Sequence, residues 1–156
     1  MKMKWYLVVG LTVLTMVVTL FVRIPVPGGG YFNMGDVLIV FTGLFAGWRI
    51  GLIAGGIGSA LADLIGFPVF APITLIVKGL EGLICGLGKP GRKADSFIFP
   101  ALGVLFMVAG YFLGTWLFPN LGKVVALTDF PVNLIQATVG YLGGRALFGA
   151  YTRITS

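Results

Sequence analysis

Residues Val37 to Phe67 read VLIVFTGLFAGWRIGLIAGGIGSALADLIGF, 31 residues with Arg49 as the one charge near the middle. A bilayer core takes about 20 apolar residues of helix, so a single helix of this length would overshoot it. Two short helices with a tight turn near Trp48 and Arg49 fit better, and a re-entrant hairpin is the alternative. The first half is short for a span, so part of Tyr31 to Asp36 is expected at membrane depth, buried in protein. The whole chain agrees with this reading. Of 156 residues, 58% are hydrophobic and 10% charged, and mean hydropathy is +1.03. Soluble domains carry about 25% charged residues, so this chain lacks the charge to cover a water-facing surface. An ordinary soluble domain, a disordered chain and a nucleic-acid-binding module are excluded.

Outward from that stretch, the other spans fall into place. Trp5 to Val22 is an uncharged run without a small-residue cleavage site, and is expected as a retained helix rather than a signal peptide. Arg23 to Gly35 is a loop by its Pro and Gly content. Val69 to Leu87 is a span carrying Lys78 and Glu81. Gly88 to Ser96 is a polar loop, and Phe97 to Phe118 a further span. Pro119 to Lys123 turns the chain. Val124 to Phe148 closes the set, broken near its start by Asp129 and Pro131. The expectation is an all-α integral membrane protein, one domain over residues 1–156, with six transmembrane helices and both termini cytoplasmic. Charge supports that orientation. Lys2, Lys4, Arg49, Lys89, Arg92, Lys93, Arg145 and Arg153 fall near the inner face, whereas only Arg23 and Lys123 fall outside.

Glycine supplies 25 residues, well above a usual share of about 7%. Small residues recur at four-residue spacing, as in Gly43/Gly47, Gly51/Gly55/Ser59, Gly82/Gly86 and Gly140/Gly144. Such stripes let helices pack closely in lipid. With no histidine and a lone Cys85, histidine bases, Ser-His-Asp triads, internal disulfides and most zinc sites are excluded. Gly86, Gly88 and Gly91 match GxGxxG, but in a basic loop after a span rather than between a strand and a helix. The glycines at 28–30 are not followed by GK[ST]. No catalytic constellation survives, and no nucleotide site.

The intramembrane polar residues are therefore the functional candidates. They are Asn33, Asp36, Asp63, Lys78, Glu81, Tyr111, Trp116, Asn133 and Gln136. Under the topology above nearly all lie between the outer surface and mid-membrane, which describes a cavity open outward and closed below. Each has a structural alternative. Lys78 can pair with Glu81, Asp63 or Asp36. Asn33 or Asp36 can cap a helix start, and Trp116 suits an interfacial belt. Carboxylates outnumber the single Lys78, which suits a neutral or cationic ligand better than a polyanion.

The stretches NMGDVLIVFTGLFAGWRIGLIAGGIGSALADL (Asn33–Leu64), FAPITLIVKGLEGLICG (Phe70–Gly86) and NLIQATVG (Asn133–Gly140) resemble the substrate-binding S components of energy-coupling factor (ECF) vitamin transporters. The likeness is to the riboflavin-type family, whose members include pyridoxine and hydroxymethylpyrimidine transporters. It implies a subunit of the bacterial or archaeal cytoplasmic membrane that binds a small water-soluble vitamin from outside. It also implies docking on a transmembrane coupling subunit with two ATPases, and toppling to deliver the ligand inward. No cofactor or metal is implied. The loop after the first helix would lid the site, and helices 4 to 6 would line it, bringing Asn33, Lys78, Glu81, Tyr111, Asn133 and Gln136 to the ligand. The family's docking face on helix 1 carries Ala-xxx-Ala. This chain departs from it, offering Gly10 and the pair Thr15/Thr19. A pyridoxine-like or hydroxymethylpyrimidine-like substrate is expected, with riboflavin the alternative. From other classes, an intramembrane enzyme built on Lys78, Glu81 and Asp63, or a ligand-free scaffold or channel, are the competing readings.

Overall fold

The computed structural model describes residues 4–27, 30–89 and 91–155; Lys2, Gly28, Gly29 and Pro90, used above, lie outside them. Among the described residues the chain forms six helices and one small hairpin. They are α1 (Trp5–Phe21), β1 (Arg23–Pro25), β2 (Tyr31–Asn33), α2 (Gly35–Ala46), α3 (Trp48–Gly66), α4 (Ala71–Cys85), α5 (Asp95–Leu117) and α6 (Gly122–Thr155). By length and composition, α3 and α5 can each cross a membrane, while α1 and α2 are shorter apolar helices. Large apolar side chains such as Trp5, Val9, Leu64, Ile76, Leu105, Leu117 and Ile135 stand exposed along the bundle. A surface of that kind matches lipid, not water.

The turn inside the Val37–Phe67 stretch falls at Gly47, whose φ of 81° and ψ of 174° end α2 and start α3. Side-chain-bearing residues avoid this conformation. Within α3, Ala54–Gly58 is wound as a π-helix, a local widening frequent at functional or tightly packed sites. There α3 meets both α1 and α4. Close approach is the reason for the small residues. A Cβ on Gly51 would overlap the Gly82 carbonyl oxygen, and one on Gly82 would overlap that of Gly51. The Gly140 and Gly144 positions of α6 press in the same way on Asp36 and Val40 of α2. The four-residue stripes thus serve internal packing.

Two differences from the sequence reading concern proline and the loop. Helix α6 runs unbroken for 34 residues, about 51 Å at 1.5 Å per residue. Asp129 and Pro131 sit inside it rather than ending it. Proline is tolerated where neighbours re-satisfy the freed backbone groups, and Pro131 faces outward while its neighbours Asp129 and Asn133 face in. In α5, Pro100 likewise leaves the Ser96 carbonyl without its helical donor. Arg145 of α6 supplies it, donating Nε–H at 3.1 Å with its guanidinium 3.4 Å over the Phe97 ring. The Arg23–Gly35 loop is not wholly irregular. It contains the antiparallel hairpin β1–β2, with Arg23 opposite Asn33 and Pro25 opposite Tyr31. The hairpin lies over the end of the bundle formed by the start of α2 and the ends of α3 and α5. Toward the other end the interior is apolar, with Val40, Cys85, Val104 and Met107 buried together.

Candidate functional site

The polar side chains gather beneath the hairpin in two layers. In the deeper one, Lys78 is 2% exposed and ion-paired with Asp36, and its Nζ stands 3.2 Å from Glu81 Oε2. Asp36 sits in the first turn of α2, where the helix dipole favours an anion, and Lys78 and Glu81 share one face of α4 three residues apart. The cluster is fully enclosed, with Glu81 0% exposed. Of the partners weighed for Lys78, the structure selects Asp36 and Glu81, not Asp63. None of the three lines the cavity above.

The upper layer surrounds a small cavity of about 30 Å³. Each wall comes from a different element. The hairpin gives Gly30, Tyr31 and Asn33; α3 gives Asp63; Phe70 and Thr74 come from the start of α4; α5 gives Tyr111; and α6 gives Asp129, Val132, Asn133 and Gln136. Asp129, Asn133 and Gln136 follow at i, i+4 and i+7, so one face of α6 carries all three. Hydrogen bonds tie the walls together. Gln136 Oε1 accepts from the Asn33 backbone N–H at 2.9 Å and from Asn33 Nδ2 at 3.2 Å. Asn33 Oδ1 accepts the Gly35 N–H at 2.7 Å, an Asx-type bond to the first residue of α2; the N-cap position itself is Met34, and neither Asn33 nor Asp36 occupies it. Asp63 accepts hydrogen bonds from the Tyr31 hydroxyl and, at 2.5 Å, from Thr74 Oγ1. The Thr74 hydroxyl in turn lies 2.8 Å from that of Tyr111.

An aromatic cover completes the outer side. Tyr31 stacks on Phe67 at 4.7 Å, with the Arg23 guanidinium 5.0 Å from the Tyr31 ring. Burial and the adjacent Asp63 carboxylate push the Tyr31 phenol above its ordinary pKa, which keeps it a donor. Asp129 differs from its neighbours. It is 7% exposed, its Oδ1 has no hydrogen-bond partner, and Gly30 packs so closely on it that a Cβ there would overlap the carboxylate.

Five of the expected site residues therefore meet at one cavity: Asn33, Asp63, Tyr111, Asn133 and Gln136. Asp36, Lys78 and Glu81 lie in the enclosed layer beneath it and do not line it. Trp116 lies elsewhere, 38% exposed and packed on Phe112 and Lys123. Tyr31, Thr74 and Asp129 line the cavity without having been singled out. The i, i+4, i+7 spacing from Asp129 was the available signal for that residue, and Thr74, one turn before Lys78, for the second. On α1, Thr15 and Thr19 are buried against α3 and the start of α2, and only Gly10 of the three expected docking residues is exposed. The outer face of α1 is formed instead by Val9, Gly10, Val13, Leu14 and Val17.

A wider groove of about 620 Å³ opens at the opposite end, between Gly43–Trp48, Cys85–Lys89 with Arg92 and Asp95, and Phe148, Tyr151 and Thr152. Its acid, Asp95, is occupied by the Lys89 backbone N–H at 2.9 Å and by Arg92. Convergent polar groups, the mark of a specific small-molecule site, belong to the hairpin end.

A family model described as the S component of an ECF-type riboflavin transporter matches residues 2–153. A curated protein of Pyrococcus woesei, described as an uncharacterized protein in the gap 3′ region, is 40% identical over 134 residues. That alignment spans 84% of this chain and 89% of the relative.

Proposed function

The chain belongs to the ECF-type riboflavin transporter S-component family, and on that premise we propose that it captures a small water-soluble vitamin in the cavity beneath the hairpin. The family is one of membrane transport subunits, not of enzymes. The observation that carries the reading is convergence. Hydrogen-bonding groups from the hairpin and four helices point into one pocket, above a sealed ion cluster and an apolar lower half. A continuous polar path, which a channel needs, is missing below Lys78 among the described residues.

In this reading all six helices cross the cytoplasmic membrane, with both termini inside and the hairpin outside. The cavity of about 30 Å³ is far below the roughly 300 Å³ at which ligand pockets begin. Binding must therefore lift the hairpin, exchanging the Gln136–Asn33 and Asp63–Tyr31 hydrogen bonds for contacts with the ligand. Two carboxylates and three amides, with no basic side chain among the described residues that line the pocket, favour a neutral or cationic heterocycle. A pyridoxine-like or hydroxymethylpyrimidine-like compound is the preferred substrate, and riboflavin is the alternative. The chain would dock on a coupling subunit through the outer face of α1 around Gly10, and two ATPases would drive toppling and release. Mass spectrometry of small molecules released from gently purified protein tests the reading. A stoichiometric vitamin is the expected result, and a flavin would replace the preferred substrate. No released compound, together with no thermal stabilisation by a vitamin panel, would remove the transport reading, because any ligand of the folded state must raise stability.

A further inference from the structure

We infer that Asp129 selects the charge of the ligand, so that the cavity takes a compound presenting a protonated nitrogen and refuses its phosphorylated form. This rests on the reading above that the cavity binds a vitamin. Asp129 is buried, only 7% exposed, it lines the cavity, and its Oδ1 has no partner. A carboxylate oxygen held away from water and unpaired is costly, and a cation delivered with the ligand is the partner that removes the cost.

With the hairpin closed the other acids and bases nearby have partners, and Asp63 keeps that of Thr74 when Tyr31 lifts away. Both oxygens of Asp63 accept hydrogen bonds, from Tyr31 and from Thr74. Lys78 belongs to Asp36 and Glu81 in the enclosed layer beneath. Arg23 lies over Tyr31 and Phe67, on the cover, and Lys123 over Trp116. No Lys or Arg is among the described residues that line the cavity. Glycine at position 30 brings the hairpin backbone against the carboxylate, and its N–H hydrogen-bonds there. Asp129 thus holds the cover while the hairpin is closed, and a ligand cation would take Gly30's place at the carboxylate when the hairpin lifts. Asn133, one turn along the same face, supplies an amide beside it. A phosphate or carboxylate on the ligand would face two acids in the wall, with a base, Arg23, held on the cover over Tyr31.

The test is isothermal titration of the full chain in detergent or nanodiscs with matched pairs. Pyridoxamine and pyridoxine differ in one aminomethyl against one hydroxymethyl group, and the aminomethyl and hydroxymethyl forms of 4-amino-2-methylpyrimidine repeat the comparison. Riboflavin and pyridoxal phosphate complete the panel. Wild-type protein should favour the ammonium member of a pair by on the order of 10–100-fold, the size of a charge-assisted hydrogen bond to a buried group, and should not bind the phosphate. Asp129→Asn keeps the shape against Gly30 and should abolish the preference, leaving the two members of a pair bound with equal affinity. If a vitamin binds but the pair is not distinguished, or Asp129→Asn leaves the ratio unchanged, the inference fails and the transport reading stands. If no member of the panel binds, both fail. Should Asp129→Asn not fold, the wild-type ratio still decides, and a preference for the hydroxymethyl member or for the phosphate overturns the inference.

Discussion

Asn33 and Gln136 are 103 residues apart in sequence, yet two hydrogen bonds join them across the cavity. Such pairing satisfies two amides that burial keeps from water. Replacing Gln136 or Asn133 by Ala should weaken vitamin binding by about 1–3 kcal/mol, the cost of leaving a buried partner unsatisfied. Titration of both variants checks this, and unchanged affinity in both would move the site away from α6. Lys78 behaves differently, as a structural group. Its removal, as in Lys78→Met, leaves Asp36 and Glu81 buried and unpaired. The expected loss is about 3–5 kcal/mol of stability, read from denaturation midpoints. A midpoint near that of wild type would mean that the cluster does not depend on its cation. Residue types alone pointed to both groups. They did not distinguish cavity wall from the enclosed layer beneath, since Lys78 and Thr74 share a helix face and differ only in depth. Asp129 was passed over for a local reason. Asp and Pro close together read as a helix end, and only the packing of α6 on α2 and α5 keeps the helix running through them.

At the scale of elements, glycine spacing was the most legible feature. The stripes on α3 and α4 marked helices that touch, and the structure shows Gly51 and Gly82 in backbone contact. Gly51→Val should therefore force α3 and α4 apart, at about 1–3 kcal/mol or more for an overpacked crossing. Gly10→Val, where a Cβ would meet nothing, should leave the melting temperature near that of wild type. Equal melting of the two variants would contradict the crossing. Composition was a poorer guide to the hairpin. RIPVPGGGYFN has the Pro and Gly of a loop, and its two three-residue strands depend on cross-strand pairing and on Asn33 being fixed by α6. The π-wound turn at Ala54–Gly58 has no sequence signature beyond its small residues. It follows from how closely α1 and α4 approach α3. The same packing turns Thr15 and Thr19 inward; a helical wheel of α1 alone puts them on one face with Thr12 but does not say whether that face meets α3 or a partner subunit.

For the molecule as a whole, charge asymmetry decides which end faces the cytoplasm. The hairpin end carries Arg23 and Lys123, whereas Lys89, Arg92, Lys93, Arg145 and Arg153 cluster at the other. Basic residues in short loops are retained on the cytoplasmic side, so the polar cavity should open outward, where a scavenged vitamin is met. Single-cysteine labelling can read this directly once Cys85, which is buried, is replaced by Ser. Ala94 lies in the exposed segment just before α5, and Asn120 in the exposed turn between α5 and α6. In intact cells a membrane-impermeant maleimide should modify Asn120→Cys and spare Ala94→Cys until the cells are lysed. The reverse pattern would place the cavity in the cytoplasm and turn the proposed importer around. Labelling of both in intact cells would mean that α5, the most apolar long helix, does not cross at all, and the six-span arrangement would fail with it.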